Sequence, residues 1–403
     1  MSDAARTAVI VSAARTPIGR FLGGLSSLSA VDLGARAIRA AIERSGIDPA
    51  DIGDVLLGNV VSAGLGQAPA RQAALAGGVP DHVGAMGISR VCGSGLQAVM
   101  SSAQAIRAGD ERVLVAGGME SMSKMPYYVF GHREGVKFGN QELIDGLIYD
   151  GLFCAFGKCH MGGHAEYTAH KAGITREDAD RFAYESHQKA VKAQDEGKFD
   201  AEMVPIEITT RKGTTTVDAD ESPRRDTSLE ALAKLKPAFT RDMPEHITDP
   251  VVTAGNAPGL NDGAAALVVV SEEYAKANGL DIMARVNAYS SGAVAPQELF
   301  FAPVRAVRRV MEKEGKSIDD YDLIEANEAF AVQALTDGRE LGWDWDRVNV
   351  HGGAVAMGHP IGASGARVLV TLLHAMRDRD AQTGLATLCL GGGDAVALSV
   401  ERI

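Results

Sequence analysis

Cysteine is scarce. Only four of the 403 residues are cysteine, at Cys92, Cys154, Cys159 and Cys389, too few for a disulfide framework in a chain of this length. That scarcity points to a reducing, cytoplasmic setting. Cys154, Cys159 and His160 look like half a metal site, but no second Cys/His cluster stands elsewhere to complete it, so no metal is expected. Long apolar runs are missing too, and no stretch reaches the length of a membrane span. No leader pattern precedes the first element, because Thr7-Ala-Val-Ile-Val-Ser already reads as a strand, and the final Val400-Glu401-Arg402-Ile403 is no peroxisomal address. The third absence is an excess of positive charge. The formal net charge is -12, and the basic pairs Arg211–Lys212, Arg224–Arg225 and Lys234–Lys236 are short and scattered. A nucleic-acid binder needs a stronger basic surface than this. Such pairs are read singly as solvated faces, and together as a contact for a phosphorylated ligand.

What is present is ordinary globular composition, 46% hydrophobic and 23% charged, at a length that implies two or three domains. Strand-like apolar runs such as Val113-Leu-Val-Ala and Ala264-Ala-Ala-Leu-Val-Val-Val alternate with helical patterns, and the 46 glycines sit at element ends. The alternation predicts α/β layers.

The two ends of the chain look alike. Cys92-Gly-Ser-Gly-Leu-Gln-Ala-Val-Met opens a helix that ends near Gly109, and the strand Arg112-Val-Leu-Val-Ala follows, ending in Gly117-Gly118. His359-Pro-Ile-Gly-Ala-Ser-Gly opens a second helix that ends near Arg377-Asp-Arg, and the strand Ala386-Thr-Leu-Cys-Leu follows, ending in Gly391-Gly-Gly393. Ser94-Gly95 and Ser364-Gly365 hold matching places, which reads as a duplicated unit. The middle is richer in charge. Ile174 to Val191 is an amphipathic helix with Thr175 as N-cap, and Thr209 to Asp226 reads as a polar loop. The predicted organisation is a first half at 1–120 continuing at 251–272, an insertion at 121–250, and a second half at 273–403. Insertions of this kind commonly bind ligands.

Four positions carry reactive groups in suggestive places. Cys92 sits at a strand-to-helix turn, where a helix N-terminus is expected to lower a thiol pKa. His359 lies among glycines at a helix start, poorly placed for core packing and well placed to take a proton from a thiol. Cys389 ends an apolar strand just before three glycines, where the Gly391 amide can meet a developing oxyanion. Asn327 follows the strand Tyr321-Asp-Leu-Ile-Glu-Ala and can hold a water or polarise a carbonyl.

Taken together, Val91-Cys-Gly-Ser-Gly-Leu-Gln-Ala, Asn327-Glu-Ala-Phe-Ala, Gly358-His-Pro-Ile-Gly-Ala-Ser-Gly-Ala-Arg and Cys389-Leu-Gly-Gly-Gly resemble the motifs of the thiolase family, in the family's order and spacing. Val11-Ser-Ala-Ala-Arg-Thr-Pro-Ile-Gly, Gly117-Gly-Met-Glu-Ser-Met-Ser, His160-Met-Gly and Thr253-Ala-Gly-Asn-Ala-Pro-Gly-Leu-Asn-Asp-Gly-Ala-Ala extend the likeness over essentially the whole chain. The resemblance implies two βαβαβαββ halves in a five-layered α/β core with an inserted loop domain that binds coenzyme A. By it, Cys92 is the nucleophile that becomes acylated, His359 the base that activates it, and Cys389 the group that moves a proton at the acetyl α-carbon. Asn327, through a water, and His359 would build one oxyanion hole. The amides of Cys92 and Gly391 would build the other. Leu152, His160, Met161, Arg224, Ala257 and Pro258 would line the pantetheine and nucleotide.

The implied reaction is reversible Claisen condensation of acyl-CoA, by two acetyl-CoA giving acetoacetyl-CoA and CoA. Gly93 favours this short-chain form. A degradative 3-ketoacyl-CoA enzyme of broader chain length and a non-catalytic scaffold subunit are the alternatives. A decarboxylating ketosynthase shares the fold but not this residue set. No cofactor is implied beyond the CoA thioesters, and a homodimer or homotetramer is. The sequence departs from the family pattern at Ser89, Ala231, Pro258, His351 and Asp394, at Leu299-Phe-Phe-Ala-Pro303, and in a longer Arg241–Val251 connection.

Overall fold

The computed structural model describes residues 3–211 and 213–403, so Lys212 of the first basic pair lies outside the described residues. In chain order the first half comprises β1 (Ala8–Arg15), α1 (Ala30–Ser45), β2 (Asp54–Gly58), α2 (Pro69–Ala76), β3 (Gly84–Ile88), α3 (Ser94–Ala108) and β4 (Val113–Ser121). Residues 122–260 then leave the sheet. They contain a hairpin of β5 (Phe153–Cys154) and β6 (Cys159–His160), helices α4 (Met161–Ala172) and α5 (Arg176–Asp195), and a second hairpin of β7 (Ile206–Thr210) and β8 (Gly213–Val217). The chain returns in β9 (Asn261–Ser271). The second half is β10 (Ala284–Ala293), α6 (Ala302–Glu314), β11 (Leu323–Ala326), α7 (Ala331–Leu341), α8 (Ile361–Asp378), β12 (Thr383–Leu390) and β13 (Asp394–Glu401).

The main strands follow one path, β11-β12-β13-β10-β1-β9-β4-β2-β3. Its two halves meet at a narrow seam, where β1 and β10 pair only through Val9–Arg285 and Ile10–Ala284. Helices α1 and α2 cover one outer face, α6 covers the other, and α3 and α8 pack on each other between the two half-sheets. The result is five layers, α-β-α-β-α. Helix α8 is buried on nearly every side, as a central-layer helix must be.

The repeated Ser-Gly pairs explain this central contact. A Cβ on Gly95 would lie 2.6 Å from the Ala366 nitrogen, and one on Gly365 would lie 2.3 Å from the Leu96 nitrogen. Only glycine lets the two helix N-termini approach so closely. The approach carries the segments ahead of α3 and α8, and with them Cys92 and His359, to one place.

Four details differ from the sequence expectation. Strand β4 does not stop at Gly117-Gly118 but runs on to Ser121. These glycines mark close approach, since Cβ atoms there would lie 2.2 Å from the Ala265 and Gly362 oxygens. The segment from Thr209 to Asp226 is not all loop, because β7 and β8 pair from Ile206–Val217 to Thr210–Gly213. Its threonines are β-branched and favour a strand. The return to the sheet comes at Asn261 rather than near 251. Finally, the second half keeps its third strand only as a single bridge, Ile324–Val348. Asn349, at φ 46°, replaces the missing ladder: its side chain donates to the Ala326 carbonyl and accepts from the Ala326 amide, both at 2.8 Å. The helix expected from Thr175 is α5, with Thr175 and Asp178 forming a capping box. Among the described residues, no helix is long and apolar enough to cross a membrane.

Candidate active site

The turn before α3 is strained. Val91 has φ 46°, a left-handed conformation that is costly for a β-branched side chain. Ser94 secures it by donating to the Val91 carbonyl at 2.6 Å and accepting from the Arg90 amide at 2.8 Å. The strain aims Cys92 into a cavity of about 280 Å³.

His359 meets it from the segment before α8. The His359 backbone amide donates to Asn261 Oδ1 at 2.9 Å, which ties the segment to the start of β9. Ser364 Oγ donates to the Pro360 carbonyl at 2.9 Å. Its lone pairs therefore face His359 Nδ1, 2.6 Å away, and the proton on that side of the ring belongs to Nδ1. The tautomer follows: Nε2 carries the lone pair, and it lies 3.2 Å from Cys92 Sγ. The thiol donates and the imidazole accepts.

Cys389 and Gly391 complete the wall from the end of β12 and the turn after it. The backbone amides of Cys92 and Gly391 both act on the Cys92 sulfur in favour of its thiolate, so two donors are placed where charge would develop on an acyl group carried there. Asn327 is fully buried behind this wall. Its Nδ2 and Oδ1 have no partner among the described residues, an arrangement that fits a buried water.

The electrostatics correct one expectation. The Cys92 thiol is not depressed by the helix terminus. Burial pushes it up to about 12, against the two amides that favour the thiolate, and the Glu120 carboxylate adds to the rise. Burial likewise pushes His359 down to about 3, with the Arg367 charge adding to the effect. Cys389 is driven well above the ordinary thiol value, chiefly by burial and then by Cys92. At neutral pH the resting pair is an uncharged thiol on an uncharged imidazole.

Of the residues singled out for coenzyme A, Leu152, His160, Met161, Ala257 and Pro258 line the same cavity as Cys92, His359, Cys389 and Gly391. His160 caps α4 by accepting from the Gly162 amide at 3.1 Å, and its ring stacks on Phe239 at 4.7 Å. Arg224 and Asn327 are not in the lining. Arg224 is exposed, and its backbone amide donates to His187 Nδ1. Sequence reasoning missed several residues that shape the site. Asn261 and Ser364 orient His359. Leu299, Phe300 and Phe330 form apolar wall, with Phe300 and Phe330 edge to face at 5.4 Å. Glu120, buried and pushed up to about 7 by burial, accepts from the amides of Val60, Val61 and Gly362 and so ties α8 to β4. Asn261, Ser364, Phe330 and Glu120 did lie inside the family-like motifs, and Leu299 and Phe300 inside a departure from them, but nothing local marks their partners.

Comparison with known proteins covers both halves. The family description "Thiolase, N-terminal domain" matches residues 8–273, and "Thiolase, C-terminal domain" matches residues 280–402. The chain is 53% identical to an acetyl-CoA acetyltransferase of Pseudomonas aeruginosa, over 98% of this chain and 99% of that protein. It is 50% identical to an acetyl-CoA acetyltransferase of Escherichia coli, over 99% and 100%. The crystal structure of the Bacillus anthracis acetyl-CoA acetyltransferase superposes with a TM-score of 0.95 at 42% identity, covering 100% of both chains.

Proposed function

The chain belongs to the thiolase family, and from that premise we propose that it is an acetyl-CoA acetyltransferase, condensing two acetyl-CoA to acetoacetyl-CoA and CoA and catalysing the reverse. The observation that carries the reading is the 3.2 Å contact between Cys92 Sγ and the unprotonated Nε2 of His359. The relatives' shared name supplies the acetyl substrate.

In the first half-reaction, Cys92 gives its proton to His359 Nε2 as its sulfur attacks the thioester carbonyl. The amides of Cys92 and Gly391 hold the oxyanion, a contribution of about 3–4 kcal/mol per donor in comparable sites. Coenzyme A leaves as a thiolate and takes the proton from His359. In the second, with Cys92 acylated, Cys389 gives its proton to His359 Nε2, and the Cys389 thiolate removes an α-proton from a new acetyl-CoA. The resulting carbanion attacks the acetyl carbonyl on Cys92, and Cys92 leaves as a thiolate that takes the proton from His359 Nε2. His359 Nε2–H and a water on Asn327 stabilise the enolate oxygen. The apolar wall supports this chemistry because excluding water strengthens each of these contacts.

Leu152, His160, Met161, Ala257 and Pro258 hold the pantetheine arm, and the exposed Arg224 meets the nucleotide phosphates outside the cavity. A homodimer or homotetramer is the proposed assembly. Edge strand β3 leaves one side unpaired with Met86 exposed, and Tyr127, Phe130, Val136, Phe138, Leu143 and Tyr149 expose apolar surface in the insertion; both features favour association. Four free thiols fit the proposed cytoplasmic location.

The test is thiolysis of 3-ketoacyl-CoA substrates of increasing length, with radiolabelled acetyl-CoA used to locate the acyl acceptor. The highest kcat/KM is expected for acetoacetyl-CoA, with label on the Cys92 peptide. Higher kcat/KM on long chains would favour the broader degradative enzyme. Absence of turnover would leave only a scaffold role.

A further inference from the structure

Cys154 and Cys159, an incomplete metal site by sequence, come together in another way. They face each other across the β5–β6 hairpin in antiparallel register, so both side chains leave the same face. Opposed residues in such a pair have Cα atoms about 4.5–5.5 Å apart, within the reach of a disulfide. Both are free thiols. The imidazole beside them is not His160, which stacks on Phe239, but His164, whose Nε2 lies 3.6 Å from Cys159 Sγ. Cys159 and His164 line an open cleft of about 540 Å³ that also includes Phe156, Tyr167 and Asp242 and excludes Cys92, His359 and Cys389. Cys154 sits behind, buried, with its Sγ accepting from the Gly157 amide at 3.1 Å. Among the described residues, no group of three or more His, Cys, Asp or Glu is arranged to hold a metal ion.

We propose that Cys159 and Cys154 form a thiol–disulfide exchange site that takes small-molecule disulfides through this cleft, with Cys159 attacking and Cys154 resolving. Burial holds His164 below the ordinary imidazole value, so it is neutral and able to accept a proton. Burial, Cys154 and Asp242 raise the Cys159 thiol, so attack depends on proton removal by His164 rather than on a standing thiolate.

In the first step Cys159 gives its proton to His164 and its sulfur attacks one sulfur of the disulfide. That S–S bond breaks, and the departing thiolate takes the proton from His164. In the second step Cys154 loses its proton and attacks the Cys159 sulfur, expelling the second small thiolate, which is protonated in turn. Two protein thiols are oxidised to one disulfide, and one small disulfide is reduced to two thiols.

The probe is oxidised glutathione on the intact protein, read by mass spectrometry after trypsin. Cleavage after Lys158 separates the two cysteines, so their disulfide joins the peptides Phe138–Lys158 and Cys159–Lys171 with the loss of two hydrogens. The expected results are that joined pair in the wild type, a stable glutathione adduct on Cys159 in Cys154→Ser, and a rate at least about tenfold lower in His164→Gln. Oxidation confined to Cys92 and Cys389, an adduct on Cys159 that Cys154 never displaces, or an undiminished rate in His164→Gln would each overturn the proposal. Mass is the readout, so the outcome stands apart from the acyltransferase reading.

Discussion

Arg90 grips Asp394 across the join of the two halves, with Nε at 2.9 Å and Nη2 at 2.7 Å from the same carboxylate oxygen. Arg90 is two residues before Cys92, behind the strained Val91. Asp394 opens β13 directly after the turn that carries the Gly391 amide. The ion pair thus fixes the Cys92 turn against the hairpin that supplies Gly391 and Cys389. The pair is partly exposed, at 28% and 30%, so its contribution to stability is about 0–1 kcal/mol. Its contribution to alignment is larger, because a displacement of about 1 Å at a reacting group can cost about 100-fold in rate. Asp394→Asn is expected to lower kcat at least about tenfold with KM and Tm little changed, and the exchange Arg90→Asp with Asp394→Arg to restore part of it. A lower Tm with kcat intact would mean that the pair serves the fold alone.

The neutral resting pair predicts an unusual pH profile. An ordinary thiol forms thiolate as pH passes about 8.5. Burial raises Cys92 to about 12 and lowers His359 to about 3. Raising the pH from about 6 to about 9 therefore deprotonates neither partner further, and lowering it within that range does not protonate His359. Inactivation by iodoacetamide, followed on the Cys92 peptide, is expected to be nearly flat across this range. A climb that tracks an ordinary thiol would show a depressed or unpaired Cys92.

Ser364 sets the tautomer of His359. In Ser364→Ala the imidazole loses the acceptor for Nδ1–H, and the ring is free to place its proton on Nε2, where it can no longer take one from Cys92. Losses of about 10- to 100-fold are typical when such an orienting partner is removed. The expected fall is in kcat for both half-reactions, with KM for acetyl-CoA preserved. Ser364→Thr keeps the hydroxyl and should recover activity if it packs. A variant that raises KM alone would show that Ser364 shapes the substrate path instead.

Most of the candidate site was legible because its members sit at glycine-bounded element ends. Cys92, His359, Cys389 and Gly391 all lie next to such boundaries, and the repeated Ser-Gly pairs marked the crossing of α3 and α8. What was not legible depends on distant contacts. Nothing near Asn261 announces that it holds the His359 amide. The Cys92 thiol was misjudged because the local rule, a helix N-terminus, competes with burial that only the folded cavity imposes. The third strand of the second half was lost to a side chain, Asn349, doing the work of a backbone ladder.

Cys389 offers the sharpest division of the mechanism. Cys389 is buried near the end of β12, and among the described residues the resting His359 imidazole bonds Cys92 and Ser364 rather than Cys389. On the proposed mechanism, acylation of Cys92 needs His359 and the two amides, all of which remain in Cys389→Ala. Removing the α-proton of the second acetyl-CoA needs a base, and general acid–base work is typically worth about 10²–10⁴-fold. Cys389→Ala is therefore expected to keep acetyl exchange between coenzyme A and Cys92 near the wild-type rate while condensation and thiolysis fall by that factor. Cys389→Ser should behave like the alanine variant, because a hydroxyl keeps the shape but is far less acidic than a thiol. Exchange is measured with labelled coenzyme A and acetyl-CoA, and condensation by acetoacetyl-CoA formation. Condensation left intact in Cys389→Ala would make this cysteine a small apolar strand end, and the α-proton would have to be assigned to another base.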